Sequence, residues 1–183
     1  MYFAKPVIGI FIALLLLASA GIAYAMWSET LKINVTVNTG EVDVKWSNWY
    51  CNDTGSDPQA PGFNNSEGKD VAKCYVEPEK YDEEGDLIKL NVTIVNAYPG
   101  YRAVITGIVD NIGTIPVKLY NHTISSYDTD ALDVTLGIPA DTQIDAGDNA
   151  TYTLTIDVLQ NASENSTYSF EVTLVFAQWN EIP

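Results

Sequence analysis

Apolar residues recur at every second position over five stretches of this chain. Leu31, Ile33, Val35 and Val37 alternate with Lys32, Asn34, Thr36 and Asn38, and Val42, Val44 and Trp46 alternate with Asp43 and Lys45. Ile88, Leu90, Val92 and Ile94 alternate with Lys89, Asn91 and Thr93. Tyr152, Leu154, Ile156 and Val158 alternate with Thr153, Thr155 and Asp157, and Phe170, Val172, Leu174 and Phe176 close the pattern. Successive strand side chains point to opposite faces, so each run has one wet face and one dry face. After residue 25 no stretch shows a 3.6-residue period of helical length; only the acidic run Glu77–Glu84 suits a short helical turn. Turn signals separate the runs: Asn38-Thr39-Gly40, Tyr98-Pro99-Gly100, Asn111-Ile112-Gly113, Gly137-Ile138-Pro139 and Asp145-Ala146-Gly147-Asp148. Short strands at such spacing specify an all-β domain, a sandwich or a jelly-roll-like barrel.

The first 25 residues follow a different rule. Lys5 supplies a positive charge, an unbroken apolar run follows from Pro6, and the run ends in Ala23-Tyr24-Ala25. A charged start, an apolar middle and a small-x-small end describe a secretory signal peptide, here an apolar signal helix over 1–25 cut after Ala25. Ala18-Ser19-Ala20 offers a second cut. The alternative is an uncleaved anchor, since about 20 apolar residues span a bilayer. On the first reading the chain meets a membrane only through the leader, before cleavage, and residues 26–183 form one domain.

Export changes the meaning of the two cysteines. Cys51 and Cys74 lack C-x-x-C spacing, and the chain has a single histidine, His122. In an oxidising compartment an isolated pair is most simply a disulfide. It would pin a Gly-, Pro-, Asn- and Asp-rich excursion, Asn52–Lys73, at its base. Acidic residues outnumber basic ones 24 to 9, for a formal charge of −15. That balance argues against nucleic acid as a partner, because binding there needs cations to replace counterions.

Eight Asn-x-Ser/Thr acceptors occur, at Asn34, Asn52, Asn64, Asn91, Asn121, Asn149, Asn161 and Asn165. An N-glycan is bulky and polar, so each acceptor is expected at the surface. Asn34 and Asn91 share the polar parity of their runs.

Catalytic signatures are missing. There is no G-x-S-x-G, H-E-x-x-H or P-loop, and His122 sits inside an acceptor triplet, so no catalytic residue and no enzymatic role is assigned. Two acidic groups suit calcium, which takes six to eight oxygens: Asp128 and Asp130 with Asp133, and Asp141, Asp145 and Asp148. Neither matches an EF-hand, and solvated loop carboxylates in Asx-turns are the simpler explanation of both. No other cofactor is expected.

Three stretches together resemble the TasA/camelysin-like family, including the archaeal bundling pilins related to it. The first is Ala25-Met26-Trp27-Ser28-Glu29-Thr30, followed by Val37-Asn38-Thr39-Gly40-Glu41-Val42-Asp43-Val44. The second is Val95-Asn96-Ala97-Tyr98-Pro99-Gly100-Tyr101, running into Val109-Asp110-Asn111-Ile112-Gly113-Thr114-Ile115-Pro116-Val117. The third is Phe176-Ala177-Gln178-Trp179-Asn180. The resemblance implies a jelly-roll-like β-sandwich that is secreted and joins other copies of itself head to tail by donor-strand complementation, as a pilus or biofilm-matrix filament. The donor would be residues 26–37, with Met26, Trp27, Leu31, Ile33, Val35 and Val37 supplying inserted side chains, and the body residues 38–183. The competing reading is a cell-surface sandwich that binds carbohydrate or associates with an S-layer, using exposed aromatics such as Trp46, Trp49 and Tyr50.

Overall fold

A computed structural model describes residues 4–23 and 29–182. The cleavage site at Ala25 and the expected donor residues Met26 and Trp27 lie outside the described residues. The chain divides after Asn38 into two units.

In the first unit, helix α1 runs Ala4–Ala23. Its side chains are described over 6–18, where they are exposed. Among the described residues no helix is long and apolar enough to cross a membrane. Residues 29–38 form no strand, although their alternation suits one. Without a partner, neither parity is dry: Leu31, Ile33, Val35 and Val37 are 90%, 88%, 74% and 78% exposed.

The second unit is built from nine strands among its described residues: β1 Val44–Cys51, β2 Lys73–Tyr81, β3 Leu87–Val95, β4 Arg102–Asn111, β5 Val117–Ile124, β6 Leu132–Gly137, β7 Gln143–Ile144, β8 Asn149–Val158 and β9 Val172–Gln178. All pairings are antiparallel. They make a four-stranded sheet in the order β1-β4-β8-β6, a two-stranded sheet β2-β3, and a three-stranded sheet β7-β5-β9. The acidic run expected as a helical turn is strand as far as Tyr81, because Val76 packs on the core and Lys73–Tyr81 pairs with β3. The turn follows, where Asp82 Oδ1 accepts the N–H groups of Glu84, Gly85 and Asp86.

Burial shows which faces meet. Ala103 and Ile105 of β4, Leu132 and Val134 of β6, and Ile156 and Val158 of β8 form one buried cluster. Val76, Val92 and Ile94 of the two-stranded sheet pack against it. Val109 of β4 and Tyr152 of β8 form a second cluster with Val117 and Ile144, joined by Leu119, Leu174 and Phe176 of the three-stranded sheet. One face of the four-stranded sheet is thus covered at one end by β2-β3 and at the other by β7-β5-β9. Polar ties hold the frame. Arg102 and Asp157, opposite each other on β4 and β8, make two hydrogen bonds of 2.6 Å. Asn111, fully buried, donates from Nδ2 to the carbonyls of Ile115 and Ile144 at 2.9 Å.

Cys51 ends β1, Cys74 sits in β2, and the two are disulfide-bonded with Cα atoms 6.1 Å apart. The excursion between them is held along its length, not only at its base. Asp57, 2% exposed, accepts the N–H groups of Val71 and Ala72. Ala60 N–H donates to Gly100 O, and Arg102 N–H donates to Pro58 O. Phe63 lies over Gly100, whose φ of 95° suits a residue without Cβ and whose missing side chain leaves the ring its space. The apolar pattern here is sparse, so this docking rests mainly on backbone groups, the carboxylates of Asp57 and Asp53, and the side-chain amides of Asn52 and Gln59.

Candidate functional site

The two smaller sheets each have an open edge. Among the described residues β3 pairs with β2 alone, and β9 with β5 alone. Between β3 and β9 lies a groove of about 1360 Å³, larger than the pockets of about 300–1,000 Å³ that take small ligands. Its walls are the dry face of β3, with Leu90, Val92 and Ile94, and Val172 and Leu174 of β9. Its floor is the inner face of the four-stranded sheet, including Ile105, Tyr152, Leu154 and Ile156. Unpaired edges expose rows of N–H and C=O groups that template another strand. Asp86, just before β3, is bound by Lys45 of β1 beside the second cluster, while Val92 and Ile94 reach the first. Along β9 the order is reversed: Phe170, just before it, packs on the first cluster and Leu174 and Phe176 on the second. The two edges therefore run in opposite directions along the groove.

Two polar features mark this groove. Lys89 of β3 reaches across its outer rim, 2.9 Å from Glu79 of β2 and 3.5 Å from Glu171 beside β9. On the floor, Tyr152 is 2% exposed and its hydroxyl has no hydrogen-bond partner among the described residues. Burial pushes its pKa up to about 12. Its ring meets Phe176 edge-on at 5.9 Å, and Trp46 fills the space over Gly107, the residue opposite Tyr152 on β4. The irregular segment before β9 forms one end of the groove: Ala162, Tyr168 and Phe170 pack on the first cluster, and Phe170 meets Tyr127 at 5.4 Å.

The aromatics suggested for sugar stacking do not share a face. A bulge after Trp46 puts that residue on the core side, opposite Val109, and leaves Tyr50 exposed opposite Thr106. His122 is exposed on β5. The suggested calcium ligands fall in two places. Asp128 accepts Asp130 N–H in an Asx-turn. Asp141, Asp145 and Asp148 line one small exposed depression, where Gln143 Nε2 donates to Asp145. Among the described residues, the acidic group with ligand oxygens gathered within 4.8 Å is a different one, Asp43, Asp82 and Asp86. Sequence reading missed it because Asp43 lies far along the chain from the other two. Burial, then the charges of Asp86 and Asp82, raise the Asp43 pKa, whereas backbone N–H groups, that of Asp86 first, lower Asp82. Lys45 already occupies Asp86 at 2.9 Å.

All eight glycan acceptors are exposed. Asn52 Oδ1 accepts Val104 N–H, and Asn64 Oδ1 accepts Ser66 N–H, so in both the amide nitrogen is left clear of those bonds. Asn91 donates to Thr93 Oγ1 of its own triplet at 3.3 Å. No family model, curated protein or solved structure matches the chain.

Proposed function

We propose that this chain is a structural subunit of an extracellular filament, a pilus or matrix fibre, that polymerises head to tail by strand donation. On this reading the leader Met1–Ala25 is removed during export, and residues 26–37 of one copy fill the groove between β3 and β9 of the next. The body is then a jelly-roll-like β-sandwich. Its second layer lacks one strand, and the seated donor joins β2-β3 and β9-β5-β7 into a single sheet. The observation that carries the reading is that groove: two open strand edges flanking an apolar floor.

Several features support it. The segment 31–37 has the alternation a seated strand needs, and its apolar side chains are exposed. Backbone hydrogen bonds to both edges supply strength, and alternate side chains filling pockets supply specificity. Such a contact is heterologous and does not close on itself, so it builds an open fibre. The disulfide is consistent with an extracellular protein, and the exposed acceptors are compatible with N-glycans. A carbohydrate-binding role has less support, since Trp46 and Tyr50 face opposite sides of β1. Deleting residues 26–32 should give secreted monomer that forms no fibres in negative-stain images. Normal filaments from that deletion would overturn the proposal.

A further inference from the structure

Taking strand donation as its premise, we propose that Glu171 recognises Lys32 of the incoming strand and thereby sets the register of the joint. The problem to be solved is sliding. A donor that slips by one residue turns its apolar set outward, which the dry floor forbids. A slip by two residues keeps the parity and exchanges one aliphatic side chain for another. One such slip is opposed by Glu29, which shares the inward parity and would take the seat of Leu31 on the dry floor; for the opposite slip, which seats Ile33, Val35, Val37 and Thr39, packing discriminates far less. A mark on the outward row is needed.

Over the described residues 29–38 the outward row is Thr30, Lys32, Asn34, Thr36 and Asn38, and Lys32 is its single charge. The outer rim of the groove has the complementary charge. There, one ammonium, Lys89, serves two carboxylates, the nearer on Glu79 and the farther on Glu171. Glu171 is the under-served partner, and its side chain is largely exposed. Its backbone is fixed on both sides: Glu171 N–H donates to Ser125 Oγ, and Ser125 N–H donates to Glu171 O, each at 2.8 Å. The carboxylate therefore projects from a held position beside the open edge. A strand seated between β3 and β9 passes beneath the Lys89–Glu171 bridge and presents its outward row at that level. Lys32 then pairs with Glu171 and Lys89 with Glu79, giving two cations to two carboxylates. In a chain of charge −15, with 9 basic residues in all, this is a discriminating match. A two-residue slip brings Thr30 or Asn34 to Glu171 instead; Asn34 would also bring its glycan to the rim.

Charge reversal tests this. The full chain, expressed with its leader, is compared as wild type, K32E, E171K and the double variant, by the monomer concentration at which fibres appear and by circular dichroism of the monomer. Each single reversal should raise that concentration about 3- to 10-fold, in the range of exposed ion pairs, with the monomer spectrum unchanged. The double variant should return to within about twofold of wild type. E171Q, which keeps the shape and removes the charge, should show a smaller rise than E171K. Wild-type fibres with indifferent single variants, or a double variant as poor as the singles, would overturn the pairing while leaving strand donation standing. Wild type that forms no fibres would overturn strand donation and the pairing with it.

Discussion

Along β8, Tyr152, Leu154, Ile156 and Val158 alternate with threonines and Asp157; along 29–38, Leu31, Ile33, Val35 and Val37 alternate with Lys32, Asn34 and Thr36. β8 lies between β4 and β6, and its Tyr152, Ile156 and Val158 are 2%, 5% and 7% exposed. The earlier segment forms no strand, and its apolar residues are open to solvent. Alternation thus specifies competence to be a strand, whereas neighbours decide whether the dry face is ever covered. β8 finds its neighbours within its own chain. The proposed strand donation would give the earlier segment a neighbour in another copy.

One aliphatic residue in each region separates the two most directly. Ile156→Ala should cost the folded monomer about 2–5 kcal/mol, because it leaves a cavity in the first cluster. Ile33→Ala should leave the monomer within about 0.5 kcal/mol of wild type, as a surface change does, while raising the concentration needed for fibres. Thermal melts of secreted monomer measure both. Equal losses at the two positions would mean that the segment is already packed in the monomer.

Much of the body was legible from period and turns. Leu90–Val95 keeps the expected alternation, but at the start of β3 Leu87 is buried and Ile88 exposed; in β8 Tyr152, Ile156 and Val158 are buried as expected, and Asp157 is buried too, against Arg102; Asn111-Ile112-Gly113 does separate β4 from β5. The disulfide pair was legible from the count of two cysteines and the expectation of export. What escaped was long-range. β2 was obscured by its glutamates and Pro78, because a strand with one wet face tolerates an acidic sequence as long as Val76 points inward. The docking of the excursion was obscured because it rests on hydrogen bonds to Asp57 and Gly100, which leave no hydrophobic period. For the proposed site, the sequence suggested donor residues but no acceptor. An open edge is a property of which strands fail to pair, and no local pattern in β3 or β9 records that.

Asp57 sharpens the contrast between a segment that is tied and one that is not. Burial alone would raise its pKa, but the N–H groups of Val71 and Ala72, with Tyr98 and the charge of Lys73, bring it below the usual carboxylate range. A carboxyl held lower in the folded state adds stability above its unfolded value near pH 4, and that contribution is lost as pH falls through the folded value. Asp57→Ala strands two backbone donors and should cost about 2 kcal/mol at neutral pH. Wild type should lose this advantage progressively below about pH 4, so the two melting curves should converge in acid. Parallel curves from pH 7 to pH 2 would show that Asp57 is not the anchor of the excursion. Among the described residues no comparable carboxylate holds 29–38.

The smallest expected effect concerns the residue common to β8 and to the groove. Tyr152 is the large polar-tipped side chain on the dry face of β8, and its buried hydroxyl lacks a partner among the described residues. Burying such a group unbonded costs about 1–3 kcal/mol, a cost that removal of the hydroxyl relieves. The ring itself is fixed by Phe176 and by the second cluster, so Tyr152→Phe keeps the packing. The variant monomer should therefore melt at the same temperature as wild type or slightly above it, equivalent to a gain of up to about 1 kcal/mol. A clear loss of stability would reveal a hydrogen bond to the hydroxyl in the free monomer, and β8 would then be complete without any incoming strand. An unchanged or raised melting point keeps the two regions distinct. The same face of β8 that completes the monomer core would still hold, at Tyr152, one group that the monomer leaves unpaired.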